Sequence, residues 1–133
     1  MRDSLDTSTG EHVQKSLVLI VEDEKPIAEV LAFIVEDAGY EVAVAAHGSE
    51  ALELVNGGER PDLLITDLMM PKMDGASLIR ALRSSLGSHM PPVVLMTAAG
   101  PQHAEQADAD EILDKPFDLY TVESLLHRLL PHH

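Results

Sequence analysis

Five short apolar runs punctuate the chain: Leu17-Val18-Leu19-Ile20-Val21, Glu41-Val42-Ala43-Val44-Ala45, Asp62-Leu63-Leu64-Ile65-Thr66, Pro92-Val93-Val94-Leu95-Met96 and Glu111-Ile112-Leu113. They are short, mostly rich in β-branched residues and bounded by turn residues, which predicts strands. Between them the apolar residues change period. Ile27, Val30, Leu31, Ile34, Val35 and Ala38 fall at helical spacing and predict one apolar helix face, with Pro26 in the first turn and Gly39 at the end. Ala51, Leu52 and Val55 mark a short helix over 49–56 that stops at Gly57-Gly58. Ala76, Leu78, Ile79, Leu82 and Leu86 mark another, and a last one begins near Asp118 and is expected to bury Val122, Leu125, Leu126 and Leu129. Between Ala98 and Asp110 only Ala104 and Ala107 keep helical spacing, so any helix there is short and weakly driven.

Strands alternating with helices imply βαβ units, hence an α/β fold with a doubly wound, five-stranded parallel sheet and helices on both faces. Right-handed crossovers reduce the possible topologies to a few. The 133 residues suffice for one domain with a sizeable core. The expected organisation is a flexible polar tail over 1–16, a folded domain over 17–130 and a short C-terminal tail over 131–133, where His132-His133 matches the remnant of a purification tag. Gly87-Ser88-His89-Met90 has the look of a cloning scar, but it lies where a helix-to-strand loop is needed and is read as native.

Composition narrows the chemistry. Aromatic residues make up only 3% of the chain, with no Trp, so the core is aliphatic and base-stacking platforms are disfavoured. A formal charge of −14 repels nucleic acid and anionic membrane surfaces, leaving cations and basic protein patches as natural partners. The absence of Cys excludes disulfides and thiolate chemistry. With no apolar run near the ~20 residues that span a bilayer and no secretory signal at the N-terminus, the expected location is the cytoplasm.

Parallel strands deliver their carboxyl ends to one edge, so residues just beyond each strand become neighbours. Four of the five ends carry capable groups: Glu22 and Asp23, Asp67, Thr97, and Lys115. Three carboxylates held together repel one another unless a cation compensates, and a hard divalent ion such as Mg²⁺ suits them. The expected ligands are Asp23, Asp67 and a backbone carbonyl of the following loop, with Glu22 acting through water. Asp67 can then serve as a carboxylate nucleophile toward phosphorus, while Thr97 and Lys115 hold phosphoryl oxygens. None of the seven His residues is assigned a role.

At these residues the chain resembles the receiver domain of response regulators in two-component signalling. Asp67-Leu68-Met69-Met70-Pro71-Lys72-Met73-Asp74-Gly75 is close to the family pattern D-x-x-M-P-x-M-D-G, and Val21-Glu22-Asp23-Glu24, Met96-Thr97-Ala98 and Asp114-Lys115-Pro116-Phe117 join it at the other strand ends. The resemblance implies a flavodoxin-like sheet of order 2-1-3-4-5. It also implies Asp67 as phosphoacceptor, Glu22 and Asp23 as metal-binding acids, Met69 as donor of a main-chain carbonyl, Thr97 as switch hydroxyl and Lys115 as phosphate-binding lysine. The implied partners are a sensor histidine kinase or histidine phosphotransfer protein and a downstream protein target, with no nucleic acid or membrane, for a monomer or weak dimer. No DNA-binding or catalytic segment follows Leu130, so a stand-alone switch, rather than an enzyme, is expected.

Two other readings compete: a phosphorylation-independent docking module and a Mg²⁺-dependent aspartyl phosphatase. The second lacks the usual acid two residues past the nucleophile, where Met69 stands. The chain also departs from its apparent relatives. Ile112 occupies the position of a usual aromatic, and Lys115 follows Thr97 by only 18 residues, which implies a short or irregular fourth helix. Met69 and Ala99 offer no side-chain acid or amide to orient water, so slow self-dephosphorylation is expected.

Overall fold

A computed structural model describes residues 15–98 and 109–130. Its elements run β1 (Leu17–Val21), α1 (Lys25–Asp37), β2 (Glu41–Ala45), α2 (Gly48–Asn56), β3 (Leu63–Asp67), α3 (Gly75–Leu86), β4 (Val93–Thr97), β5 (Glu111–Asp114) and α4 (Leu119–Leu129). A 3₁₀ turn at Gly87–His89 joins α3 to the β4 loop. The helix expected between Ala98 and Asp110 falls mostly on residues 99–108, outside the described residues.

All strand pairs are parallel and the sheet order is β2-β1-β3-β4-β5, as expected. Side chains alternate across each strand, so the sheet feeds two cores. Leu19, Leu64 and Leu95 pack with Leu78, Ile79 and Leu82 of α3 and Ala51 and Val55 of α2. On the opposite face Val18, Ile20, Ile65 and Met96 pack with Leu31 and Val35 of α1 and Leu125 and Leu126 of α4. The central strands β3 and β4 are buried throughout, which explains their uninterrupted apolar sequence. β2, at an edge, keeps Glu41 and Val44 exposed.

Helices α2, α3 and α4 start where a side chain satisfies a free backbone N–H group, whereas α1 has no side-chain cap and carries Pro26 in its first turn. Asp74 Oδ1 accepts from Ser77 N at 2.8 Å to open α3, and Asp118 Oδ1 accepts from Thr121 N at 2.8 Å to open α4. The Ser77 N–H holds the Asp74 carboxyl below its ordinary range. Helix α1 ends before Gly39, whose φ of +99° is open to glycine at low cost.

The apolar stripe of α1 differs from its expected form. Ala28, Leu31, Ile34 and Val35 are buried, whereas Val30 is 51% exposed and Ala38 is exposed at the C-cap. The sheet takes a narrower face than the spacing suggests, and Ala28 is buried on it. In α4, Leu129 is only partly buried, while Leu130 beyond the helix is buried. Ser16, just before β1, is also buried, and its carbonyl accepts from Glu41 N at 2.9 Å.

Leu95 lies in a central strand with no exposed surface, so Leu95→Ala leaves a cavity that neighbours cannot fully close. The expected cost is about 2–5 kcal/mol. It should be read as a lower urea midpoint at unchanged slope.

Candidate functional site

From β1 the chain crosses one way to β2 and then the other way to β3, so a crevice opens at the carboxyl ends of β1 and β3. Backbone pairing continues past the strand ends there. Glu22 N donates to Ala45 O at 3.1 Å, Leu68 N to Met96 O at 2.9 Å and Lys115 N to Thr97 O at 2.9 Å. The residues expected to carry chemistry are therefore attached to a fixed frame.

Glu22, Asp67 and Thr97 are buried, at 2%, 5% and 1% exposure, and Asp23 is exposed beside them. Lys115 reaches in from β5. Its Nζ lies 2.8 Å from Glu22 Oε1 and 3.0 Å from Asp67 Oδ2, so one ammonium joins two buried carboxylates at the ends of the neighbouring strands β1 and β3. Their other oxygens are also engaged: Glu22 Oε2 accepts from Glu24 N at 3.0 Å and Asp67 Oδ1 from Met69 N at 3.3 Å. Thr97 stands one residue beyond Met96, the register partner of Asp67, and pairs with Asp114 just before Lys115.

Burial pushes the Glu22 carboxyl above its ordinary range, and the charge of Asp67 adds to the effect; the Lys115 ammonium and the Glu24 N–H oppose it without cancelling it. Burial alone would lower the Lys115 pKa. The two carboxylates outweigh that penalty and hold it above its ordinary value, so the lysine stays charged.

The loop after Asp67 is tightly determined. Met73 N donates to Pro71 O at 2.8 Å across Lys72, whose φ of +72° makes a γ-turn, a strained form for a non-glycine residue. Gly75 N closes the loop on Leu68 O at 2.9 Å. A Cβ at Gly75 would stand 2.5 Å from the Asp67 carbonyl oxygen, so only glycine fits there. The Met73 side chain packs on Gly48 and ties this loop to the start of α2.

Glu22, Asp23 and Asp67 each offer an oxygen, and these atoms lie within 4.8 Å of one another. All-oxygen anionic donors at one open edge fit a hard divalent cation, and Mg²⁺ fits well because it takes few carboxylates and keeps several waters. Met69 follows in the same loop, with its side chain 69% exposed.

A family model for the response regulator receiver domain matches residues 18–127. The chain belongs to that family. It is 32% identical over 117 residues to the alkaline phosphatase synthesis transcriptional regulatory protein PhoP of Bacillus subtilis, covering 85% of this chain and 48% of that one. It is 38% identical over 117 residues to the response regulator MprA of Mycobacterium ulcerans, covering 84% and 47%. The chain thus spans about half the length of these curated relatives. Among solved structures, the chemotaxis protein CheY4 of Vibrio cholerae matches with a TM-score of 0.79 at 32% identity, over 87% of this chain and 99% of that one. Receiver domains are signalling switches of two-component systems that accept a phosphoryl group in a Mg²⁺-dependent reaction.

The structure brings Glu22, Asp23, Asp67 and Lys115 into one cluster and places Thr97 on the adjoining strand end. Sequence reading did not find the Glu24 N–H that holds Glu22, nor the backbone crowding at Gly75. It also missed an apolar groove beside Lys115, lined by Pro26, Ile27, Val30, Ala98, Pro116 and Phe117. A Pro-Phe pair directly after the lysine was the available signal.

Removing the Lys115 ammonium leaves Glu22 and Asp67 buried without a cation, so Glu22 keeps its proton to higher pH when folded than when unfolded. A folded chain that binds the extra proton gains stability as pH falls toward the unfolded carboxylate value and loses it as pH rises. Metal-free Lys115→Met should therefore be less stable than wild type near pH 7.5 and recover part of the gap on acidification to about pH 5. Urea melts across this range test it; a gap independent of pH would contradict the assignment.

Proposed function

We propose that Asp67 accepts a phosphoryl group from the phosphohistidine of a sensor histidine kinase or histidine phosphotransfer protein, and that the phosphorylated chain signals by contact with a downstream protein. The observation that carries this reading is Lys115, held by Glu22 and Asp67 in a cluster of three carboxylates. A carboxylate oxygen of Asp67 attacks phosphorus, the phosphorus–nitrogen bond of the donor breaks, and its electron pair stays on the imidazole. Lys115 shifts from Asp67 to a phosphoryl oxygen, and the Thr97 hydroxyl donates to another. Asp23, Asp67 and the Met69 carbonyl would hold Mg²⁺, with Glu22 beside it; the ion supplies charge neutralisation for the incoming phosphoryl oxygens.

The apolar groove next to Lys115 suits the histidine-bearing partner, because it adjoins the site and includes the exposed Val30 of α1, with the exposed Phe33 three residues further along the same helix. The reaction is assigned to the cytoplasm; no helix among the described residues is long and apolar enough to cross a membrane. The Met69 side chain gives an attacking water no acid or amide, so the phosphorylated form is expected to be long-lived.

Incubation with Mg²⁺ and acetyl phosphate should add one phosphoryl group, and chelating the metal or substituting Asp67→Asn should abolish it. A label that survives Asp67→Asn would overturn the assignment. Phe33→Asp, on an exposed position, should slow transfer from a kinase by about tenfold, the effect of about 1.4 kcal/mol of lost docking energy, and spare labelling by acetyl phosphate. Equal slowing of both reactions would place the docking surface elsewhere.

A further inference from the structure

The methionines of the described residues sit in unequal surroundings. Met96 and Met70 are buried, Met73 and Met90 are half-buried, and Met69 is 69% exposed. Met69 also adjoins the acceptor, since its N–H donates to Asp67 Oδ1 at 3.3 Å. A thioether is a weak hydrogen-bond acceptor, whereas its sulfoxide is polar and accepts strongly through oxygen.

We infer that Met69 is a redox-modification site whose oxidation by a peroxide shortens the life of the phosphorylated form. The proposal rests on the reading of Asp67 as phosphoacceptor and adds a control on it. In the modifying step the peroxide O–O bond breaks, an oxygen–sulfur bond forms, the thioether is oxidised by two electrons and the peroxide is reduced to water. The new oxygen stands two residues beyond Asp67, where it accepts a hydrogen bond from water and orients that water toward the acyl phosphate. Solvent exposure makes the sulfur reachable, while Met73, packed on Gly48, and the buried Met70 and Met96 are shielded. The lesion is reversible by methionine sulfoxide reductase, as a signal must be.

The test treats the full chain with graded hydrogen peroxide, maps sulfoxides by peptide mass, then phosphorylates with acetyl phosphate and Mg²⁺ and follows loss of the label after the donor is removed. Met69 should oxidise ahead of Met70, Met73, Met90 and Met96, and the oxidised chain should lose its phosphoryl group severalfold faster, with the reductase restoring the slow rate. Met69→Leu, compared with its own untreated form, should show no change on peroxide treatment. Prior oxidation of another of these methionines, an unchanged lifetime with Met69 fully oxidised, or equal sensitivity in Met69→Leu would each overturn the inference. Failure of the untreated chain to take a phosphoryl group on Asp67 would remove the reading beneath it, an outcome separate from failure of the oxidation step.

Discussion

One ammonium shared by two buried carboxylates is the constraint around which this site is built. Lys115 reaches Glu22 and Asp67 across the sheet, from the strand at one edge to two strands in its middle. Breaking either contact leaves a buried charge uncompensated, a far larger cost than loss of a surface ion pair. The cluster is nonetheless unbalanced, with three acids facing one lysine. That imbalance gives the edge an anionic, all-oxygen donor set of the kind a hard divalent cation takes, and on the proposed reading Lys115 would exchange its Asp67 contact for a phosphoryl oxygen.

The fold supplies the rigidity that such a cluster requires. Pairing that continues one residue past β1, β3 and β5 fixes the backbone that carries Glu22, Leu68 and Lys115. The loop after Asp67 is then closed by Gly75 and turned at Lys72 in a conformation few side chains accept. Local strain at Lys72 is sustained because the surrounding hydrogen bonds leave the loop few alternatives. The Asp67 carboxylate thus stands at a strand end held by backbone pairing, while the adjoining Met69 side chain remains in solvent.

Much of this was legible in the sequence. Every strand of the sheet announced itself as an apolar run, and the helices that cover it were visible as periodic stripes, because burial on two faces leaves little choice of residue. Convergence of Glu22, Asp23, Asp67 and Lys115 followed from the direction of parallel strands. Strand order came from the family resemblance, since periodicity says nothing about which strands are neighbours. Val30 was misplaced because α1 presents a narrower face to the sheet than its apolar spacing suggests. The burial of Glu22 was hidden because it depends on the turn into α1, where the Glu24 N–H folds back onto its carboxylate. Strain at Lys72 was equally invisible, since nothing in a lysine advertises a positive φ.

The central claim is that the acid at the end of β3 forms an acyl phosphate. Reductive trapping tests it most directly: borohydride converts an acyl phosphate of aspartate to homoserine, which peptide mass mapping locates. After incubation with Mg²⁺ and acetyl phosphate, homoserine is expected at position 67 and at no other acid. Its appearance at Asp23 or Glu22 instead, or its absence from a chain that carries the phosphoryl label, would contradict the account.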